Sequence, residues 1–198
     1  MLESFQREAV QRTLIPAGSQ LTPATAFGLV RDMPYKRAKS RSPDAIVTEW
    51  QGTCSGKHYL LKELFEEMGV PTKVMMCTHQ FDRDNTAHFP ESLRKLTEAG
   101  PVPDVHTFLR LEIGNGWMDV DATWPVQAGS LGMPVNREFL PGVSMSLACN
   151  AIEYFDVPGG VEPQAFKEDL IRRFCGGEVD RREAFILGMS AWLAENTV

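Results

Sequence analysis

Residues 50–77 of this chain read WQGTCSGKHYLLKELFEEMGVPTKVMMC and join a thiol, a helix pattern and a strand pattern. The apolar residues of the middle part recur at helical spacing: Leu61, Leu64, Phe65 and Met68. Gly69 is a typical helix C-cap and Pro71 prevents continuation. The run Val74–Cys77 then predicts a buried strand. Cys54 lies two helical turns before Leu61, so we expect it at the helix start, facing inward.

Residues 106–121 predict a β-hairpin. Thr107, Leu109, Leu111 and Ile113 alternate with more polar residues, and the segment Gly114-Asn115-Gly116 supplies a turn. The return strand alternates in the same way. One face of the hairpin is therefore apolar and packs on the core, whereas the other carries His106, Asp119 and Asp121.

The register of this hairpin decides whether its polar face is chemically useful. A two-residue Asn115-Gly116 turn would pair Arg110 with Asp121 and leave His106 roughly 13 Å from that pair. A four-residue loop, Ile113 to Gly116, pairs Glu112 with Trp117. Asp121 then becomes the diagonal neighbour of His106 on the same face. We predict the second register.

The rest of the chain completes an α+β fold, with the Cys54 helix packed on an antiparallel sheet and extra helices at both termini. Pro163–Phe174 and Asp180–Ala194 are predicted to complete the core rather than form a second domain, so residues 1–198 are expected to be one domain. The other predicted elements are helices over residues 3–13, 22–32 and 42–50, a short helix within 90–99, a long connection over 79–104, and a strand over 151–155.

Composition points to an ordinary globular protein. Of the 198 residues, 43% are hydrophobic and 23% are charged, and the net charge of −6 argues against general nucleic-acid binding. The N-terminus lacks an apolar signal core and no apolar run could span a bilayer. We therefore expect a cytoplasmic protein without nucleic-acid or membrane partners. The basic segment at residues 36–41 is interpreted as a solvated loop.

Of the four cysteines, only Cys54 has the surroundings of a nucleophile. Cys77, Cys149 and Cys175 have apolar or loop neighbours and are expected to be buried or incidental reduced thiols. The chain has no Cys-x-x-Cys pair, and His79 and His88 are irregularly spaced. We therefore predict neither a metal site nor a cofactor.

Cys54, His106 and Asp121 are together the parts of a cysteine nucleophile system. A helix N-terminus and an imidazole both favour the thiolate, and a carboxylate orients the imidazole. The Cys54 backbone N–H is available to a developing oxyanion, and Gly52 permits close approach of a substrate carbonyl.

For several roles in this nucleophile system the sequence offers more than one candidate residue. His58, one helical turn after Cys54, is a rival base, and Asp119 is a rival to Asp121 as the orienting carboxylate. The second oxyanion donor is not identified by the sequence. Three residues remain as candidates for it: Tyr35, Trp50 and Gln51.

At these motifs the chain resembles the transglutaminase-like (papain-related) cysteine superfamily. The resemblance covers roughly residues 22–125. It rests on Met33-Pro34-Tyr35, Gly52-Thr53-Cys54, Gly69-Val70-Pro71, His106 at the head of a strand, and Gly116-Trp117 followed by Asp121-Ala122-Thr123. The family pattern has tryptophan where Phe108 stands and proline where Ala122 stands.

The resemblance implies Cys54 as nucleophile, His106 as general base and then acid, and Asp121 as the orienting residue. It further implies chemistry at an amide, by hydrolysis or by acyl transfer through a thioester. The expected partner is a peptide, a protein or a small amide substrate. The alternative is a catalytically decayed binding module that keeps the fold.

Overall fold

The computed structural model describes residues 1–197 and has an α+β architecture. It contains seven α-helices and four strands within this range. In chain order they are α1 (Leu2–Gln11), α2 (Pro23–Arg31), α3 (Pro43–Glu49), α4 (Cys54–Glu67), β1 (Thr72–Phe81), α5 (Glu91–Arg94), β2 (Val102–Ile113), β3 (Gly116–Val120), β4 (Glu153–Asp156), α6 (Pro163–Cys175) and α7 (Val179–Asn196). Short 3₁₀ turns follow α5, β3 and α6.

The four strands form one antiparallel sheet in the order β3-β2-β1-β4. In the hairpin, Glu112 lies opposite Trp117, which confirms the predicted register. The predicted four-residue loop is wrong, because Ile113 and Gly116 also pair and leave only Gly114 and Asn115 in the turn. Gly114 has a φ of 62°, which suits the first position of a tight hairpin turn.

Helices α1 to α4 cover one face of the sheet. Alternate residues of β1, β2 and β3 meet the inner face of α4 there. The central part of this core comprises Leu60, Leu61, Leu64, Phe65, Val74, Met76, Val105, Leu109, Leu111, Met118 and Val120. This pattern confirms the apolar faces expected of the Cys54 helix and of the hairpin.

The helix starts follow the capping chemistry of the sequence. Thr22 accepts a hydrogen bond from the Thr25 N–H at the start of α2, and Ser42 accepts one from Ala45 at the start of α3. Both helices begin with proline, whose missing N–H costs nothing in the first turn. Trp50 ends α3 in the left-handed region with a φ of 51°, which turns the chain toward Cys54.

Helix α6 packs on the α4 side of the sheet, where Leu170 joins the core. The opposite face of the sheet is covered by the chain after β3 and by α7. Phe108 packs there with residues 147–151, and Phe185 of α7 stacks on Phe81 with ring centroids 4.4 Å apart. In the part of the chain that the structure describes, no helix is long and apolar enough to cross a membrane.

The central strands are longer than the sequence predicts. β1 runs to Phe81 and β2 starts at Val102, so the connection is only residues 82–101 and His106 lies inside a strand rather than at its head. Pro103 made this extension of β2 difficult to predict, because a proline within a run argues against a strand. A proline is tolerated there because β3 pairs only with the later part of β2, which leaves residues 102–108 with a strand partner on one side.

Candidate active site

Cys54 is the first residue of α4, as the sequence predicts. Its N-cap, Thr53, makes no side-chain capping bond, so no side chain occupies the amides of the first turn. Gly56 lets this turn approach α3 closely, because a Cβ there would stand 2.5 Å from Ile46 Cδ1. The Cys54 side chain is nearly buried, with 8% of the residue exposed.

The structure brings His106 and Asp121 into contact. His106 Nε2 lies 2.7 Å from Asp121 Oδ2 and donates a hydrogen bond to it. The same carboxylate accepts hydrogen bonds from Ala148 N–H and from the backbone and hydroxyl of Thr123. These four bonds fix the carboxylate, and the carboxylate in turn fixes the plane of the imidazole.

Burial and neighbouring charges shift the pKa values of Cys54, His106 and Asp121 in opposite directions. Burial raises the pKa of the Cys54 thiol, but the positive charges of Lys167 and His106 outweigh it and lower that pKa to about 5. Burial lowers the pKa of His106, but Asp121 and Cys54 raise it well above its ordinary value. The His106 charge holds the pKa of Asp121 well below its usual range despite burial. The arrangement therefore favours a thiolate beside an imidazolium.

His58, the rival base, occupies a different position. Its Nε2 accepts the Ala122 N–H at 2.9 Å, so its Nδ1–H donates to the Cys54 carbonyl oxygen at 2.7 Å. Both ring nitrogens are thus occupied, and burial lowers the pKa of His58 to about 4. His58 is a neutral structural link between α4 and the segment after Asp121. A proline at position 122 could not donate this bond.

The neutral state of His58 should make the fold sensitive to acid. Its folded-state pKa lies below the ordinary 6.5, so its contribution to stability is complete above pH 6.5 and is lost as the pH falls toward 4. We expect this to lower the free energy of unfolding by up to about 3 kcal/mol. Urea titrations at pH 7 and pH 4.5 measure it. The His58→Gln variant should lose less stability on acidification, and an equal loss in both chains would contradict this role.

Lys57 is buried and joins three segments through hydrogen bonds, a role that the sequence did not reveal. Its Nζ donates to the Arg31 carbonyl at 2.8 Å and to the Thr123 carbonyl at 3.0 Å. It thereby joins the first turn of α4 to the end of α2 and to the segment after Asp121. Burial lowers the pKa of Lys57 to about 7.

Lys167 is a second residue that the sequence did not reveal. It projects from α6 to within 3.4 Å of Cys54 Sγ, and its Nζ also donates to Ser55 Oγ at 2.9 Å and to Thr107 Oγ1 at 3.1 Å. The one available signal was a lysine beside Phe166 and Leu170, on the apolar stripe of its helix.

A buried ion pair lies on the same face of the sheet as His106. Asp104 binds Arg182 of α7 at 2.6 Å and stands 3.4 Å from His79 Nε2. Despite burial, the Arg182 charge and the hydrogen bond to His79 hold the pKa of Asp104 well below its usual range. His79 therefore faces a carboxylate, and His88, the other histidine near it in the sequence, is exposed.

A cleft of about 30 Å³ opens onto Cys54, with Lys167, Arg41 and Tyr35 among its walls. A larger cavity, about 890 Å³, does not reach the thiol. It is a groove beside α4 and the start of α6 that shares Arg41 and Gln164 with the Cys54 cleft. The basic loop predicted at residues 36–41 is exposed over much of its length and forms part of these walls.

Several other sequence candidates lie away from the thiol. Asp119 forms an ion pair with Arg110 at 2.7 Å. Trp50 stacks on Phe5 of α1, and the Gln51 amide donates to the Arg37 carbonyl, so of the three oxyanion candidates only Tyr35 lines the cleft.

The remaining cysteines are free thiols. Cys77 and Cys175 are buried, Cys149 is half-buried, and the Cys77 and Cys149 sulfurs lie 3.7 Å apart. Within residues 1–197, no group of three or more His, Cys, Asp or Glu side chains is placed to hold a metal ion.

No protein-family model matches this chain, and no curated protein matches it. Its function is therefore inferred from its own residues and their geometry.

Proposed function

We propose that this protein is a cysteine-nucleophile enzyme that acts on an amide through a Cys54 thioester, on a papain/transglutaminase-like core within a single domain. The observation that carries the proposal is the His106–Asp121 hydrogen bond of 2.7 Å beside a thiol at the N-terminus of α4. A helix N-terminus, an imidazole and an orienting carboxylate around one thiol are the requirements of this chemistry.

In the proposed reaction the Cys54 thiolate attacks the amide carbonyl carbon and forms a tetrahedral adduct. The amides of the first α4 turn face the developing oxyanion. The imidazolium of His106 gives its proton to the departing amine as the carbon–nitrogen bond breaks, which leaves a thioester on Cys54. Neutral His106 then takes a proton from water or from an acceptor amine, whose attack releases the acyl group and restores the thiolate.

The small opening at Cys54 favours a narrow acyl group or an extended side chain over a bulky one. The neighbouring groove is large enough for several residues of a peptide and meets the cleft at Arg41 and Gln164. The proposed substrates are therefore a peptide or protein amide whose reacting group reaches into the cleft, or a small amide.

Acylation of Cys54 tests the proposal without knowledge of the natural substrate. We expect p-nitrophenyl acetate to release a burst of p-nitrophenol equal to the enzyme concentration at pH 6, with the acetyl group located on Cys54 by mass spectrometry. The matched controls are Cys54→Ala, which should give no burst, and Cys175→Ala, which should leave the burst intact. Acylation of another residue, or none, would contradict the proposal.

The fate of the acyl group separates hydrolysis from transfer. If methylamine increases the steady-state rate and N-methylacetamide accumulates, the acyl-enzyme prefers an amine acceptor. If the steady-state rate does not depend on methylamine, and acetate accumulates, water is the acceptor. A chain that folds but does not acylate at all would instead be a binding module with a decayed site.

A further inference from the structure

Lys167 is a buried ammonium group without a carboxylate partner. Only 4% of the residue is exposed, and no carboxylate lies within ion-pair distance of its Nζ among residues 1–197. Two of its three donors have hydroxyl acceptors, Ser55 Oγ and Thr107 Oγ1. The remaining neighbour is Cys54 Sγ at 3.4 Å.

A buried cation with only neutral partners is costly, because hydroxyl groups replace the hydration of an ammonium poorly. The cost falls if a neighbouring group carries a negative charge. Among residues 1–197, Cys54 is the ionisable side chain within hydrogen-bonding distance of the Lys167 ammonium, so the lysine gains most when the thiol is ionised.

We propose that Lys167 is a further catalytic residue, whose ammonium group is the counter-ion that holds Cys54 as a thiolate. This proposal rests on Cys54 being the nucleophile proposed above. The Ser55 and Thr107 hydroxyls are positioning groups, because they hold the Lys167 Nζ at the distance at which its third donor meets the sulfur.

The titratable groups around the thiol agree with this role. They come from β2, from the segment after β3, from α4, α6 and α7, and from the loop before α3. The groups are His106 and Asp104 on β2, Asp121 after β3, Lys57, His58 and Tyr59 on α4, Lys167 on α6, Arg182 on α7, and Tyr35 in the loop before α3. Arg182 pairs with Asp104 and His106 pairs with Asp121, which leaves Cys54 as the ionisable group paired with Lys167.

Lys167 also changes what His106 has to do. In a simple cysteine–histidine pair the imidazolium both stabilises the thiolate and protonates the leaving amine. With Lys167 in place, the thiolate does not depend on the charge of His106 alone. His106 is then free to exchange protons with the substrate during thioester formation and breakdown.

The pH profile of Cys54 alkylation tests the proposal. Iodoacetamide rates from pH 4 to 10, with the modified residue located by mass spectrometry, should give a midpoint near 5 in the wild-type chain. In Lys167→Met the midpoint should rise by at least one pH unit, so that alkylation at pH 5 slows at least about fivefold. Lys167→Arg, which keeps a cation, should restore part of the shift.

The matched control is Lys62→Met. Lys62 lies on the exposed side of α4 and pairs with Glu66 at 2.6 Å, so its loss removes the same charge from the same molecule without touching the thiol. Its alkylation midpoint should equal that of the wild-type chain. An unchanged midpoint in folded Lys167→Met, or an equal rise in both methionine variants, would overturn the proposal.

A measurement on the unaltered chain covers the case in which Lys167→Met does not fold. With ¹⁵N-labelled lysine, the Lys167 Nζ resonance should shift with the same midpoint as Cys54 alkylation, and alkylation of Cys54 should abolish that transition. A Lys167 Nζ resonance that responds neither to the ionisation nor to the alkylation of Cys54 would refute the proposal. Failure of the proposed function would look different: the shift between wild type and Lys167→Met would persist while no ester or amide acylates Cys54.

Discussion

The His106→Ala variant should acylate with p-nitroacetanilide about 10³-fold more slowly than the wild-type chain. An anilide leaves as an amine and needs a proton, which the imidazolium of His106 supplies in the proposed reaction. The corresponding ester, p-nitrophenyl acetate, leaves as a stable anion and needs no proton. Its acylation should fall far less, because Lys167 still stabilises the Cys54 thiolate. Single-turnover mass spectrometry of acyl-Cys54 measures both rates.

The matched control for this variant is His88→Ala, which removes an exposed histidine outside the cleft. Its rates with both probes should equal those of the wild-type chain. If His106→Ala lost ester and anilide acylation to the same extent, His106 would act only through the thiolate and not as the acid. An anilide rate unchanged by the substitution would remove His106 from the reaction altogether.

The Asp121→Asn variant should lose about 10²- to 10⁴-fold in anilide acylation. The asparagine amide cannot accept all the bonds that the carboxylate now accepts from His106, Ala148 and Thr123, so the imidazole loses its fixed orientation. A buried bonding group left without a partner should also lower the free energy of unfolding by about 1–3 kcal/mol.

Asp119→Asn is the control that separates the two aspartates of the hairpin. The Asp119 carboxylate is held by Arg110, away from the thiol, so this variant should acylate at the wild-type rate. The two variants should also differ in acid. The lowered pKa of Asp121 stabilises the fold above about pH 4, and this contribution is lost as the pH falls further, so Asp121→Asn should lose less stability there. Equal acylation by both variants would contradict the role of Asp121.

Periodicity predicted the parts of the fold in which one face is buried. The Cys54 helix and the hairpin were recognisable because their apolar residues repeat at 3.6 and at 2 residues, and the polar residues left over, His106 and Asp121, fall on one side. The register followed from the requirement that this polar side be chemically useful, and Glu112 does lie opposite Trp117. The length of the turn did not follow, because glycine suits both loops.

The parts of the site that depend on distant packing could not be predicted. Lys167 stands 113 positions from Cys54, in a helix whose pattern shows only that one face is buried. The Ala148 N–H that binds Asp121 lies in a segment without regular structure. His58 looked like a base because it faces Cys54 on the same helix, but its ring is committed to Ala122 and to the Cys54 carbonyl. Such contacts depend on how loops and helices meet, which local sequence does not encode.

The proposed reaction requires Cys54 to be ionised at a pH where an ordinary thiol is not. Its iodoacetamide alkylation rate from pH 4 to 10, in the wild-type chain with the label located on Cys54, tests this most directly. The structure predicts a midpoint near 5 and a reactive plateau through neutral pH. A single rise near pH 8.5, the value of a free thiol, or label confined to the other cysteines would contradict the claim.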